Sequence, residues 1–110
     1  MLFRSVSQSR YAITTKFKIE VEDIGAMSYQ DEQDIKNAIL NALKTGKTRA
    51  RVAQNIRAVQ YVTPVVNASD LLIVSLQVSI DNGVTWVDQA QLGVDQFPIT
   101  TTFDISVVQA

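Results

Sequence analysis

The sequence predicts an α+β domain. The expected form is a two-layer sandwich in which a mixed or antiparallel sheet of four to five strands carries a two-helix hairpin on one face, in the order β-α-α-β-β-β-β. Three observations predict it. Apolar and polar residues alternate over residues 10–22, the period of a half-buried strand. Behind Ser28 the apolar residues change to helical spacing. From Tyr61 onward, β-branched runs are divided by turn residues, among them Asn82-Gly83, the strongest short hairpin signal.

With 110 residues, 46% of them hydrophobic and 19% charged, the chain suits one globular domain rather than two or a disordered segment. The expected division is an N-terminal arm, residues 1–9, and a single domain, residues 10–110.

The first strand places Tyr11, Ile13, Thr15, Phe17, Ile19 and Val21 on one side, and Lys16, Lys18, Glu20 and Glu22 on the other. The charged side is read as a solvated face that discourages edge pairing. A turn containing Gly25 leads to Ser28, the expected helix N-cap, with Asp31 as its capping-box partner. Asp31, Glu32 and Asp34 then meet the positive end of the helix dipole. Ile35, Ile39, Ala42 and Leu43 form the apolar stripe, and Lys44 and Gly46 signal the helix end. A second, shorter helix is expected from about Thr48, with Val52, Ile56 and Val59 as its stripe. Tyr61–Val66 is expected as a short strand limited by Pro64. Leu71–Ile80 follows as a longer one, with Leu72, Val74, Leu76, Val78 and Ile80 on one face. After the Asn82-Gly83 turn, residues 84–87 are read as the return strand. A connection over residues 93–98 leads to a final strand, residues 101–108, with Phe103, Ile105 and Val107 on one side.

The composition removes much chemistry. The chain has no cysteine and no histidine, so disulfides, thiolate ligands and imidazole proton transfer are all unavailable. Ten basic residues against eleven acidic ones lack the surplus expected of a nucleic-acid binder. No window approaches a membrane span, and residues 1–6 hold no apolar stretch of signal-peptide length. Gly46-Lys47-Thr48 is not a phosphate-binding loop, because Asn41 stands where the first glycine is needed and a helix rather than a strand precedes it. The acidic residues 31–34 lack the spacing of a calcium loop. No carboxylate pair is placed for acid–base work. No enzyme, metal site, cofactor or small-molecule ligand is therefore expected.

Three groups remain as candidate partner-binding residues: the apolar Leu2, Phe3 and Val6 of the arm; the basic Lys47, Arg49 and Arg51; and Trp86, the only tryptophan. Trp86 has two readings, packing of its large apolar surface or stacking on a ligand.

The second half resembles the C-terminal region of the baseplate J-like proteins of contractile phage tails and related injection machines. Leu76-Gln77-Val78-Ser79-Ile80-Asp81-Asn82-Gly83-Val84-Thr85-Trp86 is similar to their strand, Asp-x-Gly turn and Thr-Trp return. Leu92-Gly93-Val94-Asp95-Gln96-Phe97-Pro98-Ile99, followed by Phe103-Asp104-Ile105-Ser106-Val107, is similar to their closing segment. Members are generally longer, with a further N-terminal portion. The resemblance implies a tail or baseplate wedge component that self-associates in a ring or wedge and binds neighbouring tail proteins. It implies a virion location after assembly in a host cytoplasm, without nucleic acid or membrane, and it brings no catalytic residue. The alternative expectation is a stand-alone carbohydrate- or peptide-binding module built on Trp86 and adjacent loops.

Overall fold

The computed structural model describes residues 11–110. The expected arm, with Leu2, Phe3 and Val6, lies outside the described residues. The chain is an α+β fold in which two helices pack together over one face of a mixed sheet.

The opening alternation forms two strands rather than one, β1 (Tyr11–Thr14) and β2 (Lys16–Val21), because its halves pair with different partners. β1 runs parallel to β6 (Gln96–Ile99). β2 is the centre of a three-stranded sheet, antiparallel to β4 (Ile73–Ser79) and parallel to β7 (Ile105–Gln109). Thr15 joins the two strands and is fully buried. Its N–H donates to the Ile99 carbonyl at 2.9 Å, and its own carbonyl accepts from the Thr100 hydroxyl at 2.9 Å. Such pairing is what permits a buried polar joint.

Phe17, Ile19 and Val21 point from β2 into the core and are fully buried. Over them lies helix α1 (Tyr29–Ala42), contributing Ile35 and Ile39. Ser28 caps this helix as expected. The Asp31 N–H donates to Ser28 Oγ at 3.1 Å, and the Ser28 N–H donates to Asp31 Oδ2 at 3.0 Å. The helix stops at Leu43, and Gly46, at φ +71°, turns the chain in a region that favours glycine.

The next segment departs from expectation. No helix begins at Thr48. After a 3-10 turn over Gly46–Thr48, Ala53 adopts φ +59°, and β3 (Asn55–Arg57) pairs antiparallel with β5 (Gln89–Gln91). The governing pattern is alternation: Gln54, Ile56 and Ala58 are buried, whereas Arg57 is exposed. The second helix, α2 (Val59–Ala68), occupies the stretch expected as a strand. Pro64 inside it removes one backbone hydrogen bond, a cost of about 3 kcal/mol in an isolated helix. Ala58, Tyr61 and Val65 offset that cost by burying a helical stripe, and the Tyr61 ring meets Phe17 edge-on at 5.0 Å.

β4 also changes face along its length. Val78 and Leu76 lie opposite Phe17 and Ile19 and are buried, but the register shifts between Glu20 and Val21, so Ile73 rather than Val74 faces Val21. This bulge turns Leu72 and Val74 outward. The expected return strand shrinks to one bridge, Val78 to Val87, with both hydrogen bonds made at 2.8 and 2.9 Å. The final strand begins late: Thr102–Asp104 form a 3-10 turn, which leaves Phe103 91% exposed instead of in the core.

Candidate interaction site

The segment Ser79–Trp86 is held by its own polar side chains. The buried Ser79 donates its hydroxyl hydrogen to Asp81 Oδ1 at 2.7 Å and accepts the Gly83 N–H at 2.9 Å. Asp81 Oδ1 also accepts the Thr85 N–H at 2.8 Å. These bonds favour the carboxylate, so Asp81 is lowered to about 2, first by Ser79 and then by the Thr85 amide. Asn82 and Gly83 both have positive φ, at 63° and 85°, as the Asn-Gly pair requires. The loop is thus tied to the sheet by the Ser79 and Asp81 side chains rather than by a regular hairpin ladder.

That tie places Trp86 across the outer face of the sheet. Its ring is partly buried, with Lys18 Nζ 5.0 Å from the ring centroid. Lys18 and Glu20 occupy the same outer face, opposite Gln77 and Ser75, and Ser75 donates to Glu20 Oε1 at 2.5 Å. One face of the indole is therefore engaged by the chain's own ammonium group.

The basic candidates lie in the connection that follows α1. Arg49 and Arg51 are exposed, as are Lys44 and Arg57, and Lys47 sits in the Gly46–Thr48 turn. Arg51 and Arg57 border an open hollow of about 360 Å³, whose other polar lining is Gln54, Asn55 and Gln60. Asn55 Oδ1 is buried there with no donor among the described residues. An unsatisfied buried acceptor costs roughly 1–3 kcal/mol and calls for an explanation. Beneath the hollow, burial pushes the Tyr61 phenol up to about 12, against the opposing influence of the Arg51 charge and a Gln54 hydrogen bond. The fold gathers these basic residues around one connection, and the pairing of Arg57 with Gln89 ties that connection to the strand that follows Trp86.

Sequence reasoning missed two further features. β7 pairs on one side only, with β2, among the described residues, and its sequence Ile-Ser-Val-Val-Gln contains none of the charges or prolines that usually protect a sheet edge. Phe103 stands fully proud of the surface just before that edge, where Thr101 and Asp104 form a capping box. The signal was present: Thr101-Thr102-Phe103-Asp104 has the spacing of a cap, which interrupts strand alternation.

Among the described residues no group of three or more carboxylate, His or Cys side chains is placed to hold a metal ion, and no helix is long and apolar enough to cross a membrane. The chain matches no family model and no curated protein.

Proposed function

We propose that this chain is a structural assembly subunit of a phage-like contractile tail, of the baseplate wedge type, acting through contacts with copies of itself and with neighbouring tail proteins. The single observation that carries the reading is the order of the resembling segments in the fold. Leu76–Trp86 spans β4 and its tied loop, Leu92–Ile99 leads into β6, and Phe103–Val107 leads into β7. The first and third belong to the β4-β2-β7 sheet, and the second supplies β6, the partner of β1. The exterior supports the same reading, because β7, an edge strand among the described residues, lies beside an exposed phenylalanine and is suited to strand addition by another chain. Virion location follows from the proposal, as does the absence of a catalytic role.

The stacking role for Trp86 is disfavoured by Lys18, which already occupies one ring face. The proposal is tested by quantitative proteomics of density-gradient-purified tail particles from the natural source. The chain should be present in a fixed ratio to the sheath and tube proteins. Its absence from intact particles would overturn the proposal.

A further inference from the structure

The charges of this chain are sorted along the sequence in a way that its net charge of −1 conceals. Residues 37–69 carry five basic side chains and no acidic one, whereas residues 70–110 carry five acidic side chains and no basic one. The fold converts part of this sorting into two poles. The C-terminal end of α1 and the start of α2 meet at Thr48, whose hydroxyl donates to the Ala42 carbonyl and whose carbonyl accepts from the Tyr61 hydroxyl. Lys44, Arg49, Arg51 and Arg57 surround that end. The other end of the helical layer is where α1 begins and α2 finishes. There the Glu22 N–H donates to the Leu72 carbonyl, which brings Glu22, Asp23 and Asp70 to one edge, all exposed. Asp23 accepts from the Gly25 N–H, but Glu22 and Asp70 make no ion pair among the described residues.

α1 has 14 residues and so separates the poles by about 21 Å at ~1.5 Å per residue. That exceeds the Debye length of ~8 Å at physiological salt, so the poles do not neutralise each other across one molecule. Each can be neutralised by the opposite pole of another. We infer that copies of this chain associate head to tail, the Glu22–Asp70 edge of one copy docking on the Arg49–Arg57 end of the next. The inference rests on the reading of the chain as an assembly subunit and names the geometry of its self-contact.

Three observations select a second copy as the occupant. The poles are complementary in sign, and each molecule carries both. The hollow at the basic end is lined by Arg51, Arg57 and amide side chains with no carboxylate, so an incoming acidic edge meets no like charge in its lining. The near-zero net charge leaves little overall repulsion between copies. Because the two surfaces differ, the contact is heterologous and generates a ring or an open row rather than a two-fold dimer.

The test uses the full chain in sedimentation velocity, with circular dichroism confirming that each variant is folded. The unmodified chain should form concentration-dependent oligomers whose association weakens about ten-fold or more between about 0.05 and 0.5 M salt. Arg49→Gln with Arg57→Gln should give a monomer, and so should Glu22→Gln with Asp70→Asn. Mixed in equal amounts, the two variants should form a one-to-one complex and nothing larger, since each retains one working pole. A monomeric unmodified chain at low salt, salt-insensitive association, or mixed variants that stay apart would each overturn the inference. So would an acidic peptide binding the basic end of a chain that does not self-associate. If a variant misfolds, the salt response of the unmodified chain still decides. A negative result here leaves particle proteomics to judge the assembly role, so the two failures are distinguishable.

Discussion

Tyr61 shows how much one residue can carry in a small core. Its ring is fully buried against Phe17, and its hydroxyl reaches the Thr48 carbonyl at 3.4 Å, a long bond that solvates the phenol poorly. Burial therefore favours the neutral form and raises its pKa from 10.0 to about 12. The sign of the consequence is fixed by linkage. The folded chain holds this proton where the unfolded chain releases it, so the stabilisation is complete below pH 10 and is lost as pH rises toward 12. The expected loss approaches 2–3 kcal/mol, on the order of two tenfold steps in the folding equilibrium. Urea denaturation between pH 9 and pH 12 checks it. A Tyr61→Phe variant should lose most of that alkaline dependence. Unchanged dependence in the variant would show that other groups cause it. At this scale some of the sequence was readable and some was not. Ser28 and Asp31 announced their cap because capping is local chemistry. The Lys18 ammonium over the Trp86 ring depends on two segments that meet only in the folded chain.

Elements were legible where one periodicity had no competitor. β2 and α1 follow from alternation and from a helical stripe, and their buried faces are the ones expected. α2 was not legible because Val, Tyr, Thr and Pro64 carry strand or turn preference, and only the stripe Ala58, Tyr61, Val65 favours a helix. Packing against Phe17 overrides that propensity. The bulge in β4 was likewise invisible, since Leu72 and Val74 continue the alternation and only the register against β2 turns them outward. The two phenylalanines test this account of the elements. Phe17→Ala should cost about 3–5 kcal/mol, because it empties the junction of β2 and α2. Phe103→Ser should change stability by no more than about 0.5 kcal/mol, because its side chain is already in water. Chemical denaturation of both variants measures the difference. Equal losses would place Phe103 in the core, contrary to the structure.

At the scale of the whole molecule, the α+β class and the helices on one sheet face were readable from pattern. The division of the strands into three ladders was not, since it depends on which long-range partner each short strand meets. The candidate site was legible only in part. The sequence identified Arg49 and Arg51 as basic and Trp86 as large and single, but not that Lys18 covers one face of the Trp86 ring. Nor did it reveal that β7 is an edge strand among the described residues. What Arg49, Arg51 and Phe103 share is exposure to solvent. The proposed assembly role would use such surfaces as contacts with other chains. Its central claim is tested most directly by deleting the coding region from the source of the particles and imaging the product by negative-stain electron microscopy. The account predicts tails without an organised baseplate, restored when the chain is supplied from a plasmid. Intact, infectious particles assembled without the chain would contradict it.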